Sequence, residues 1–258
     1  MDVLNILRAD DSEYVFNALK IENHTSESAS RLRFWYSHCR ANFDKLEGHI
    51  FEFGVYQGAS LLSMALLLKR LGSNKRVYGF DSFAGFPSYH ELDRLENFEK
   101  FKGAIFDNDH VAKVDRLKKI RSSLDDKTVN VSNISGAGAF ESTSYESLSR
   151  KIAKLELDNI SLIRGDFLET IPSFFSSYQG KVFSANIDCD LYVGYKTALS
   201  SIWDRLVGPG GYIHLDEYYS LKFPGARIAC DEFFKDKQVK PNKQPVRSSE
   251  FERWFVQK

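Results

Sequence analysis

Cysteine is scarce. Three residues in 258, Cys39, Cys189 and Cys230, stand apart with no C-x-x-C pair. A disulfide framework needs several pairable cysteines and a zinc site needs closely spaced ones, so both are disfavoured and reduced thiols are expected. The chain also lacks an excess of charge: 35 Lys and Arg balance 35 Asp and Glu. Without an overall positive field it has little means of gathering nucleic acid or an anionic membrane. Long apolar runs are missing as well. The longest, Leu61 to Leu68, is interrupted by Ser63 and closed by Lys69 and Arg70, far short of the roughly 20 residues that span a bilayer. A buried helix is expected there. The first residues reach Asp10 and Asp11 without the basic and apolar regions of a secretion signal, which with the reduced thiols points to the cytoplasm. Neither a G-x-S-x-G elbow nor a G-x-x-x-x-G-K-[ST] loop occurs, so serine hydrolases and P-loop NTPases have no motif behind them. The histidines are dispersed, and none forms a ligand pair.

What is present is an alternation of short apolar segments with amphipathic ones. His49 to Phe53 reads as a strand, Gly54 to Gly58 as a tight turn, Ser60 to Leu71 as a helix and Arg76 to Phe80 as a second strand, which together make a βαβ unit. The pattern recurs downstream. Strands are expected at Ile160 to Ile163, Val182 to Ile187 and Tyr212 to Leu215, with helices at Thr170 to Tyr178 and Tyr195 to Leu206. Repeated βα units predict an α/β fold, doubly wound and mostly parallel, with helices on both faces. Helix-like spacing over 11–42 makes residues 1–47 an N-terminal helical extension of a domain over 48–258. A charged, Phe- and Lys-rich insertion at about 83–140 has the character of a substrate lid or of a solvated loop. Arg253 to Gln257 reads as a last strand at or near a sheet edge.

The turn after the first strand is the first chemical signal. In Glu52-Phe-Gly-Val-Tyr-Gln-Gly58, Tyr56 stands where a dinucleotide fingerprint carries its middle glycine, which disfavours NAD and FAD. Gly54 and Gly58 permit close backbone approach. Glu52 would repel a pyrophosphate but attract the cationic amino-acid end of S-adenosylmethionine. Asp81 closes the second strand, the placement from which a carboxylate receives both ribose hydroxyls. Asp166, after the third strand, either meets the adenine or caps the next helix.

Two acid pairs follow the later core strands: Asp188 and Asp190 in Ile187-Asp-Cys-Asp-Leu-Tyr192, and Asp216 and Glu217 in His214-Leu-Asp-Glu-Tyr218. Gathered on one rim they repel one another unless a cation or protons intervene, and an all-oxygen ligand set suits Mg²⁺, Mn²⁺ or Ca²⁺. Asp190, Asp216 and Glu217 are the favoured ligands, and Asp188 or Asp190 the acceptor of a proton from a hydroxyl substrate. The competing assignment for a single Asp is a helix cap.

These segments, with Tyr78-Gly-Phe-Asp-Ser-Phe-Ala-Gly-Phe-Pro87 and Phe223-Pro-Gly-Ala-Arg227 followed by Asp231-Glu-Phe233, resemble the macrocin O-methyltransferase, or TylF-like, family over residues 45 to 235. The resemblance implies a class I methyltransferase fold, S-adenosylmethionine as donor, magnesium at the acids and a sugar-like hydroxyl, on a small molecule or glycan, as acceptor. It places the donor at Glu52, Gly54, Tyr56, Gly58, Asp81, Ser82 and Asp166, metal or base roles at Asp188, Asp190, Asp216 and Glu217, and implies a homodimer; Ser60 and Asp188 are further expected donor contacts. A catalytically inactive S-adenosylmethionine-binding protein and an NAD-dependent sugar oxidoreductase are the alternatives. The first has no need of a costly acidic cluster; the second should show the missing glycine.

Overall fold

The computed structural model describes residues 31–86, 89–94, 96, 108–124, 128–129, 140, 142–219, 223–246 and 252–258. The expected helices before residue 31 and much of the insertion at 83–140 lie outside them. In chain order the elements are α1 (Arg33–Asn42), β1 (His49–Phe53), α2 (Ala59–Arg70), β2 (Val77–Asp81), α3 (Asn108–Leu124), α4 (Tyr145–Lys154), β3 (Ile160–Arg164), α5 (Phe167–Ser177), β4 (Val182–Ile187), α6 (Tyr192–Ile202), β5 (Tyr212–Leu215), α7 (Pro224–Phe234), β6 (Asn242–Lys243) and β7 (Trp254–Gln257).

The sheet runs β3-β2-β1-β4-β5-β7-β6. β1 to β5 are mutually parallel, whereas β7 pairs antiparallel with both β5 and β6. Parallel strands are covered on both faces and so read as continuous apolar runs; all six residues of β4, near the centre, are buried. Two apolar clusters hold the layers together. Ile50 of β1 packs with Trp35 and Tyr36 of α1 and with the buried Leu61 to Leu68 stretch of α2. Phe51 and Phe53 point the other way, into Phe175, Tyr195, Ala226 and Phe234 of α5 to α7. The order reverses between β1 and β4, and open α/β sheets bind ligands at such a switch point, beyond the carboxyl ends of the strands. No helix among the described residues is long and apolar enough to cross a membrane.

Candidate active site

At that switch point lies a cavity of about 720 Å³. Its wall takes Gly54 and Tyr56 from the β1 turn, Ser60 from the first turn of α2, Asp81 and Ser82 from the end of β2, and, from just beyond the ends of β3, β4 and β5, Asp166, then Asp188 and Asp190, then Asp216 and Glu217. Another hollow, lined by Lys69, Tyr145 and Glu156 among others, holds neither a glycine turn nor an acid cluster.

The β1 turn is built for close approach. Gly54 has φ +93°, and a Cβ there would lie 1.9 Å from the Asp188 carbonyl oxygen, so no other residue lets β1 and β4 end side by side. Asp81 pins this turn to the end of β2. Its Oδ2 accepts from the Val55 and Tyr56 amides at 2.8 Å each, and its Oδ1 from the Phe83 amide at 2.7 Å. The turn is closed from outside by Thr143, which donates to the Tyr56 carbonyl at 2.6 Å, and by the Tyr56 hydroxyl, 2.5 Å from that of Ser142. Asp166 caps α5 by accepting from Leu168 N at 2.7 Å, as the helix-cap assignment expects, and it also borders the cavity.

Glu52 and Gly58 do not border the cavity. Glu52 occupies an interior position of β1 laterally paired with Asn186, and is fully buried. It accepts from Asn186 Nδ2 at 3.0 Å and from the Ser60 hydroxyl, so among the described residues Ser60 links it to the cavity wall. Gly58, with φ +87°, is the N-cap of α2 and leaves room for Leu148.

The acids also group differently from the favoured ligand set of Asp190, Asp216 and Glu217. Oxygens of Asp188, Asp216 and Glu217 all lie within 4.8 Å of one another; Asp190 borders the cavity but stands outside that group. The physical reason is local. β4 ends at Ile187, the Leu191 amide turns back to the Cys189 carbonyl at 2.6 Å, and Asp190 has φ +60°, so the chain is no longer extended where alternation would apply.

Arg31 joins this group with no forewarning from sequence spacing. It donates from Nη2 to Asp188 Oδ2 at 2.7 Å and pairs through Nη1 with Asp216 Oδ2. His214, fully buried on β5, has Nε2 3.4 Å from Asp216 Oδ1. Burial pushes the Asp188 carboxyl well above the ordinary carboxylate range; Arg31 opposes this, and repulsion from Asp216 and Asp190 adds to it. Burial works in the same direction on Asp216, but Arg31 and then His214 outweigh it and hold that carboxyl below its usual range. Within the pair, negative charge therefore settles first on Asp216. Aromatic rings also line the cavity. Phe140 meets Tyr56 and Phe86 edge to face at 5.2 Å each, and Phe86 meets Tyr89 at 5.8 Å. Of these, only Tyr56 is a site residue by its sequence motif.

Residues 51–218 match the family described as methyltransferase domain. No curated protein matches the sequence. Among solved structures the chain is similar to CalS11, a calicheamicin methyltransferase, with 19% identity, 97% of this chain and 93% of that chain covered, and a TM-score of 0.59. It is similar to the O-methyltransferase NovP at 19% identity, 92% and 82% coverage and a TM-score of 0.60. An O-methyltransferase from Bacillus cereus gives 14%, 96% and 90%, and 0.50. At these identities the likeness establishes a shared fold.

Proposed function

Because the chain belongs to the family of methyltransferase domains, we propose that it transfers the methyl group of S-adenosylmethionine to a hydroxyl oxygen of a sugar, glycan or glycosylated natural product, assisted by a divalent cation such as magnesium. The observation that carries this reading is that one cavity is shared by the glycine turn of β1 and the acids beyond β4 and β5.

On the donor side, Gly54 and Ser60 face the amino-acid end, with Glu52 supporting Ser60 from behind. Asp81, whose Oδ2 already accepts two amides, keeps a second lone pair on Oδ1 for a ribose hydroxyl, and Asp166 with Leu168 borders the adenine. The Bacillus cereus O-methyltransferase of the same fold was solved in complex with SAH, which supports this class of donor. The acceptor oxygen attacks the methyl carbon as the carbon–sulfur bond breaks, S-adenosylhomocysteine leaves, and the hydroxyl proton passes to Asp188 or Asp190. The donor set of Asp188, Asp216 and Glu217 fits a hard cation: it is all oxygen, and it already draws one positive group, Arg31. A cation held there would supply a Lewis acid that eases deprotonation of the hydroxyl.

The rings of Tyr56, Phe86, Tyr89 and Phe140 give a sugar an apolar surface to stack on, and CalS11 is a TDP-rhamnose 3'-O-methyltransferase. These features, with the motifs of the β1 turn and the acid pairs, support a place beside the macrocin O-methyltransferases. Residues 83–140 then serve as the acceptor lid of a catalytic domain over 48–258.

Calorimetric titration with S-adenosylmethionine, with NAD as control, tests the donor; binding of NAD alone would return the chain to the oxidoreductases. For the cation, Asp216→Asn is expected to keep donor affinity and to lower methyl transfer at least about tenfold, roughly 1.4 kcal/mol of barrier. Unchanged turnover would remove Asp216 from the machinery.

A further inference from the structure

Three carboxylates confined to one spot need positive charge or protons among them. Here the chain supplies the charge itself. The two arms of the Arg31 guanidinium reach one oxygen each of Asp188 and Asp216, so a single side chain spans the ends of β4 and β5. Those two residues, with Glu217, are also the oxygen group suited to a divalent cation. The two occupants compete for the same acids. A cation drawn to these carboxylates at about 2.0–2.6 Å meets the guanidinium fork that already bridges two of them, and brings two positive charges to the place of one.

We propose that Arg31 is the resident counter-ion of this site and that a divalent cation enters only by displacing it, so that Arg31 sets how weakly the metal-free protein holds the cation. This role rests on the reading of Asp188, Asp216 and Glu217 as a cation site. Two features suit Arg31 to leave. Its side chain is 36% exposed, against 15% for Asp188 and 9% for Asp216, so water already reaches it while the acids stay behind. It also sits in the turn ahead of α1, so withdrawing it breaks no turn of that helix. A guanidinium is moreover less strongly hydrated than an ammonium and tolerates a half-buried position between carboxylates, which makes it a fitting placeholder.

Calorimetric titration of Mn²⁺ into the full-length, chelator-treated protein, with neither donor nor acceptor present, tests the displacement. Arg31→Gln is expected to bind one Mn²⁺ about tenfold more tightly than the wild type, within the usual span of coupling between linked ligands. Arg31→Lys keeps a charge but cannot span both acids, and should fall between the two. Adding Asp216→Asn to Arg31→Gln should abolish the gain. If the wild type and Arg31→Gln both bind and the variant binds no more tightly, displacement is overturned while the cation site stands. If no variant binds Mn²⁺, both are overturned. Should circular dichroism show Arg31→Gln unfolded, Arg31→Lys decides, and the absence of any gain over the wild type overturns the displacement.

Discussion

Tyr195 ties together the two strand ends that carry the acids. Fully buried in α6, its hydroxyl donates to the Ile187 carbonyl at 2.7 Å and accepts from the Glu217 amide at 2.8 Å. Tyr195→Phe keeps the packing of the ring and deletes both bonds, leaving a buried carbonyl and a buried amide short of a partner. The expected cost is about 1–3 kcal/mol in urea unfolding, and methyl transfer should fall by about tenfold or more, the equivalent of roughly 1.4 kcal/mol. Donor affinity, set on the opposite rim, should hold. Loss of donor affinity in parallel with turnover would show that Tyr195 supports the whole cavity and not the acid rim. Nothing in the sequence marks this role, because a tyrosine on the buried side of an amphipathic helix reads as core. Arg31 is equally hidden: 157 positions separate it from Asp188, and no local spacing links them. The acids themselves are legible, since each pair directly follows an apolar strand.

At the scale of elements, the β1 turn and the docking of α1 each make a measurable claim. Gly54→Ala must place a methyl group 1.9 Å from the Asp188 carbonyl at φ +93°, a backbone clash that no rotamer relieves. It is expected to destabilise the fold by about 3 kcal/mol or more, and a variant as stable as the wild type would mean that β1 and β4 can part. In α1, His38 stacks on Tyr212 at 4.6 Å, and its Nε2 is buried with no hydrogen-bond partner among the described residues. Burial lowers its pKa to about 4. A histidine depressed in the folded state adds stability above its unfolded value near 6.5, and that stability drains away as pH falls towards 4. Between pH 7 and 4.5 the wild type should therefore lose about 2 kcal/mol that His38→Phe does not lose, read from urea midpoints. Equal losses would remove the histidine from the acid response. The core strands are readable to within a residue or so because apolar runs bounded by turns have few other uses. The grouping of the acids is misread where Asp190 enters positive φ, a conformation that alternation does not report.

Across the whole molecule the sheet divides the work. β1, β2 and β3 bring the turn, Asp81 and Asp166, β4 and β5 bring the acids, and the reversal of strand order between β1 and β4 opens the space between them. That division is foreseeable from repeated βα units, whereas the antiparallel β7, one place in from the edge, joins through pairing that no local pattern encodes. A donor lodged against the β1 turn, Asp81 and Asp166 needs the ends of three strands held together, and an unfolded chain offers it no such surface. At a concentration about 100 times its dissociation constant, S-adenosylmethionine should therefore raise the unfolding free energy by about 2.7 kcal/mol, with NAD giving no gain. The gain should depend on the rim. Asp81→Ala releases the Val55, Tyr56 and Phe83 amides together and should lose most of it at the same donor concentration, while Asp216→Asn should keep it. Were Asp216→Asn to lose the gain as completely as Asp81→Ala, the donor would have to reach across to the acids, and the separation of the two rims would fail.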